Sequence, residues 1–348
     1  MTVAPRISLL LILLPLFGCA SQLQHPQMSQ AVPPRQQVLN FIAERQNNGS
    51  TKRLISGQMM DRFDTVTELW KQTGYRAGIM GYDYKHYTPS NSVNPDFINH
   101  WNNGGFVTTF NHFSNPATGA DVFDRNIDFG DILTPGNKTY TTWYRYLDTV
   151  AAGLQALRDA GVVVLWRPFH EMNGGWFWWG ARNTADFKTA WIQMYNYFTT
   201  TKGLNNLLWV YSPNISSGPD ESIYYPGDQY VDIVSLDMYV DSLDSTYVAQ
   251  YNRLTSTAPT KPFALAEFGP SSCTVPPHTG SYDYLNFLNG VKTYFPKTAY
   301  FMAWNGTCRI AANQNAQVLM SDSWIVNASD ITLAQKIVAS NDSPPNSQ

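Results

Sequence analysis

Val162-Val-Val-Leu-Trp-Arg-Pro-Phe-His-Glu-Met-Asn-Gly-Gly-Trp-Phe-Trp-Trp-Gly180 joins two kinds of sequence. Its first residues are apolar and β-branched, the signature of a strand buried on both faces. The run then gives way to Arg167, His170, Glu171 and Asn173, followed by Trp176, Trp178 and Trp179. Sugar rings carry hydroxyls on their edges and C–H bonds on their faces, so a sugar site needs both polar groups and flat apolar surfaces. Glu171 is the candidate for proton transfer to a glycosidic oxygen.

The same pattern recurs along the chain. Buried-type runs occur at Leu54–Gly57, Ala77–Met80, Gly105–Thr109, Val162–Trp166, Leu207–Tyr211, Ile233–Leu236, Phe263–Ala266 and Ala299–Ala303. Helical periodicity lies between most of them, as in Thr139–Ala160, where Trp143, Leu147, Val150, Leu154 and Leu157 share a face ahead of Gly161. Apolar strands alternating with helices predict a parallel sheet covered by helices. Eight of them predict a single (β/α)8 TIM barrel. A doubly wound open sheet would want a glycine-rich phosphate turn after an early strand, and none is present.

Each run ends in hydrogen-bonding groups: Gln58, Asp83, His112, His170 with Glu171, Ser212 with Asn214, Asp237 with Tyr239, Glu267, and Trp304 with Asn305. In this fold functional residues sit at the C-terminal ends of the strands. Glu171 closes strand four and Glu267 closes strand seven, so the two carboxyls are expected to face each other across the mouth. A separation of about 5–5.5 Å would suit a retaining double displacement. Other hydrolytic chemistries lack their residues. His170-Glu171 has no second His at metalloprotease spacing, and there is no Gly-x-Ser-x-Gly elbow. No metal or cofactor is implied.

From about Leu54 to Asn305 the chain resembles glycoside hydrolase family 26, most specifically over Arg167–Gly180. The resemblance implies that Glu171 is the acid/base and that Glu267, in Ala-Glu-Phe-Gly269, is the nucleophile. It implies that His170 borders the −1 sugar, that Trp176 serves the +1 side, and that Tyr239 hydrogen-bonds the nucleophile. Trp304 would floor the −1 site and His112 would contact its hydroxyls. Arg167, Asn173 and Trp179 are counted among the substrate-binding residues. Most members that this chain resembles are endo-β-1,4-mannanases, and a mannobiohydrolase acting from a chain end is the alternative mode. Lichenases and β-1,3-xylanases share the family, and a non-catalytic polysaccharide-binding lipoprotein is the alternative outside enzymology.

The remaining readings concern the ends and the composition. Residues 1–18 read as a signal peptide, with Arg6 ahead of an apolar segment, Ile7 to Leu16, too short to span a bilayer. Leu16-Phe-Gly-Cys19 resembles a lipobox, so Cys19 is expected to carry lipid and hold an exported chain at the bacterial envelope, with Ala20 and Ser21 favouring an outer membrane. A polar tether over 19–35, a catalytic domain over 36–340 and a disordered tail over 341–348 complete the expected organisation. With 23 basic and 26 acidic residues and no basic stripe, nucleic acid is excluded as a partner. The expected partner is a neutral β-mannan or related polysaccharide, met by a monomer. Cys273 and Cys308 read as a disulfide pair in an exported chain, with two buried free thiols as the alternative.

Overall fold

The computed structural model describes residues 1, 32–46, 53–61, 64–86, 88, 92–215, 220–273 and 280–333. The fold lies within the compact unit Pro33–Gln348. The expected signal segment, the lipidation site Cys19, most of the tether and the C-terminal tail lie outside the described residues.

Eight parallel strands close a barrel: β1 (Gly57–Met59), β2 (Ile79–Asp83), β3 (Phe106–Phe110), β4 (Val164–Trp166), β5 (Leu207–Tyr211), β6 (Ile233–Tyr239), β7 (Phe263–Gly269) and β8 (Thr298–Ala303). Each pairs with its neighbours in order, as in Val107 with Val164 and Val164 with Leu207. Gln58 opposite Ala303 joins β8 back to β1. The short strands Leu54–Ile55 and Ile325–Val326 lie side by side, and Ile55 also pairs with Tyr300 on β8. Strands β3, β4, β5, β7 and β8 are buried throughout, because helices cover the outside and side chains fill the inside.

The helices begin where their caps place them. Helix α1 (Pro34–Glu44) is tied by Arg35 to the Leu207 carbonyl and to Asp232, at the start of β5 and just ahead of β6. Asp64 caps α2 (Thr65–Thr73), and α3 (Asn94–Asn102) follows β2. Asn137 caps α4 (Lys138–Asp159), and Asn183 caps α5 (Thr184–Asn196) through the Ala185 and Asp186 amides. Beyond β6 come α6 (Val248–Thr257), α7 (Tyr284–Tyr294) and α8 (Ala316–Ser321). The crossover from β5 to β6 departs from this plan: its described residues hold only the short 3-10 turns Glu221–Tyr224 and Asp228–Tyr230. No described helix is long and apolar enough to cross a membrane.

The register at one barrel joint positions the chemistry. Pairing between β6 and β7 shifts after Leu236, which brings Asp237 opposite Glu267. A shift of this kind re-aims side chains at a strand's end. Here it turns two carboxylates toward one arginine.

Candidate active site

Past β4 the chain cannot continue as a strand. Phe169 and Glu171 both take left-handed backbone, with φ of 47° and 56°. Non-glycine residues pay for that conformation, and it persists where surrounding contacts over-determine it. The Glu171 amide donates to the Ser212 carbonyl at 2.7 Å, and the Phe169 ring packs against Trp143 and Trp179. The result aims the Glu171 carboxyl inward, 7% exposed. Trp176 Nε1 donates to Oε2 at 2.7 Å and Asn214 Nδ2 to Oε1 at 2.6 Å. Burial, then the Glu267 charge, pushes the carboxyl up to about 7, against the pull of these hydrogen bonds.

Glu267 is held differently. Arg167 Nη2 reaches its Oε2 at 2.5 Å while Nη1 reaches Asp237 Oδ2 at 2.5 Å, and the Tyr239 hydroxyl donates to Oε1. Ser212 Oγ donates to Asp237 Oδ1 at 2.6 Å, so Asp237 is fixed on both oxygens. Burial disfavours the Arg167 charge, yet the two carboxylates outweigh it and hold the guanidinium firmly protonated. Burial and the Glu267 charge keep the Tyr239 phenol protonated as a donor. Glu267 thus faces a fixed cation and a fixed donor, whereas Glu171 has neutral donors only.

A third wall is built of rings. His112 Nδ1 lies 2.7 Å from Asp83 Oδ2, and its Nε2 lies 3.1 Å from His170 Nε2. Burial, with Arg167 and His112 nearby, lowers His170 well below the usual imidazole range, so it is neutral. Phe177 packs against both imidazoles, and Trp304 stands beside Phe110 and His112. Trp304 and Trp176 keep part of their rings exposed, as does Tyr239. Among the described residues no group of His, Cys, Asp or Glu could hold a metal ion.

The structure brings Glu171, Glu267, His112, Trp176, Tyr239 and Trp304 to one mouth. Four residues expected to touch sugar lie beneath it instead, and one is His170, 1% exposed and packed against His112 and Phe177. Arg167 is 1% exposed and both its terminal nitrogens face carboxylates. Asn173, 2% exposed, exchanges hydrogen bonds with the Asn214 backbone. Trp179 is fully buried, with Nε1 on the His170 carbonyl. Their work is to position the residues above them. Conversely, Asp83, Asn214 and Asp237 were visible as polar strand ends without a role, and each orients a site residue. Phe177 gave no separate signal among its aromatic neighbours.

Cys273 and Cys308 form a disulfide, with Cα atoms 5.2 Å apart, joining the loops after β7 and β8.

Residues 27–330 match the family model of glycosyl hydrolase family 26. The mannan endo-1,4-beta-mannosidase A and B of Caldalkalibacillus mannanilyticus is 38% identical over 338 residues, 90% of this chain but only 64% of that protein. A mannan endo-1,4-beta-mannosidase of Bacillus subtilis is 36% identical over 355 residues, 93% of this chain and 95% of its own length. The solved structure of Bacillus subtilis mannanase man26 superposes with a TM-score of 0.75 at 34% identity, covering 84% of this chain and 92% of that one.

Proposed function

This chain belongs to glycosyl hydrolase family 26, and we propose that it is an endo-acting β-1,4-mannanase working by double displacement with retention. The observation that carries the mechanism is the unequal setting of the two carboxyls. Glu171, raised to about 7 by burial and by Glu267, keeps its proton in mildly acidic solution. Glu267 faces the Arg167 guanidinium and the Tyr239 hydroxyl, which fix both of its oxygens. A pair of titratable groups in such contrasting surroundings divides into acid and nucleophile.

In the first step Glu267 attacks the anomeric carbon while Glu171 passes its proton to the departing oxygen. A glycosyl ester on Glu267 results. In the second step Glu171, now a carboxylate, takes a proton from water, whose oxygen attacks the same carbon and frees Glu267. Charge withdrawn from Glu267 during attack leaves Arg167 still paired with Asp237, so no buried cation is stranded. Trp176 and Trp304 present partly exposed ring faces suited to the sugars on either side of the bond.

The names of the relatives support mannan as the polymer and internal cleavage as the mode. The test is a product series over time on linear mannan, galactomannan and lichenan, with the first anomer read by NMR. Mixed manno-oligosaccharides with β configuration are expected early. A first-formed α anomer, or cleavage of lichenan alone, overturns the reading.

We also propose export and lipid anchoring through Cys19, supported by the Leu16-Phe-Gly-Cys19 motif. Cys19→Ser should move the activity from the membrane fraction to the soluble one with its specific value retained. An unchanged membrane location rules the anchor out.

A further inference from the structure

Outside the catalytic mouth, a cavity of about 300 Å³ lies between the ends of β2 and β3 and the middle of α4. It shares a wall with the site without opening from it. Phe110 and His112 face the barrel axis, where their rings meet His170 and Trp304. The residues alternating with them face the other way: the Phe113 ring lies 4.9 Å from Trp143 on α4, and Asn111 lines the cavity.

The lining offers hydrogen-bonding groups that no other described residue takes up. Asn111 is 6% exposed, and its amide has no partner among the described residues. That amide reaches the cavity space and is open to bond whatever enters it. The Ser114 and Tyr146 hydroxyls, also lining the cavity, are without side-chain partners among the described residues. Lys85 is already neutralised by Asp121 at 2.8 Å. Arg145 lies over the Tyr146 ring at 5.7 Å and has no carboxylate among the described residues. An amide, two hydroxyls and a guanidinium fork around an aromatic ring suit a neutral polyol better than an anion, which would want more than one uncompensated cation. The volume stands at the small end for ligand pockets, about 300–1,000 Å³, which fits a sugar unit and not a long chain segment.

We propose that this cavity is a second sugar-binding position, taking a pyranose unit of the polysaccharide that the enzyme cleaves. The choice of polymer rests on the proposed function; the site itself does not. Its use would be to hold a branch or a neighbouring chain while another stretch occupies the cleft, so it should matter for polymer and not for small substrates.

The test compares wild type with Arg145→Ala, on an exposed helix position, and Ser114→Trp, which fills the space. Retardation in gels and KM are measured on whichever of mannan, lichenan and β-1,3-xylan the wild type hydrolyses, alongside kcat/KM on an aryl glycoside of the same sugar. Both variants should lose retardation and raise polymer KM by about fivefold, with the aryl substrate unchanged. If retardation and polymer KM match wild type in both, the cavity holds only water and the proposal falls. Equal loss on aryl and polymeric substrates also overturns it, since the residues would then act through the cleft. If lichenan or xylan is the polymer cleaved, the mannan reading fails while the cavity is still scored. If none is cleaved or retarded, both fall.

Discussion

Glu171 is pulled in two directions, by burial that favours its acid form and by Trp176 and Asn214 that favour its carboxylate. The proposed mechanism uses both forms in turn, and two variants separate them. Glu171→Ala should lower mannan cleavage by about 10²–10⁴-fold, the usual worth of a positioned acid. An activated aryl mannoside needs little protonation, so its first step should survive, a covalent intermediate should build up, and azide should speed turnover to a β-azide. Equal losses on both substrates, with no response to azide, would be incompatible with the assignment. Trp176→Phe removes a donor that holds the carboxylate form down. The Glu171 acid should then persist to higher pH, moving the alkaline limb of kcat/KM upward by about one to two pH units, since a hydrogen bond to a charged group contributes ~1.5–3 kcal/mol. A limb that stays put or moves down contradicts this. Both carboxyls were legible in the sequence because each lies at or near the end of a buried run, although Glu171 sits in the turn past Trp166 and does not close the strand itself. The depth of Arg167, Asn173 and Trp179 was not, because residues after β4 follow left-handed backbone at Phe169 and Glu171 that no periodicity encodes.

The strands were legible for a simple reason: a strand buried on both faces must be apolar along its length, and the runs at 207–211 and 263–266 say so directly. The helices followed from spacing and caps, to within a residue for α4. What periodicity could not carry was the β5 to β6 crossover and the register shift after Leu236, which depend on partners distant in sequence. The loop ends of β7 and β8 show how such partners act. At Gly269 an added Cβ would lie 2.7 Å from Cys308 Sγ, 2.8 Å from the Tyr239 ring and 2.9 Å from Cys273 Sγ. The disulfide and the tyrosine that donates to Glu267 therefore both close on the Gly269 backbone, through which one can steady the other. A Cys273→Ser, Cys308→Ser double variant should lose kcat by roughly 3–10-fold with little change in KM. In a Tyr239→Phe background it should lose little more, a coupling of about 1 kcal/mol. Additive losses in the two backgrounds would show that the disulfide acts elsewhere.

For the molecule as a whole, the site's electrostatics bear on stability as well as rate. Glu171 titrates at about 7 when folded, against an ordinary 4.5. Between those values the folded chain keeps a proton that the unfolded chain has released. Stability from this group is therefore complete below about pH 4.5, falls as pH rises to 7, and is lowest beyond it. His100 works at the other end. It is wholly buried, with its imidazole lowered to about 3, so stability is lost as pH falls below the ordinary histidine value of 6.5. The two windows overlap between pH 4.5 and 6.5, where both groups take stability away at once, Glu171 more as pH rises and His100 more as it falls. Glu171→Gln isolates the alkaline part, because a neutral amide stands in for the protonated acid at every pH. At pH 4 wild type and variant should melt together, since both are neutral there. By pH 8 the variant should be more stable by up to about 3 kcal/mol, from the pKa difference at ~1.4 kcal/mol per unit, and should melt several degrees higher. The enzyme would then be holding its acid in a site that weakens the fold wherever that acid ionises, a common trade of stability for activity. Calorimetry of both proteins across pH 4–8 decides it: a melting difference that does not grow with pH would mean that burial of Glu171 carries no such cost.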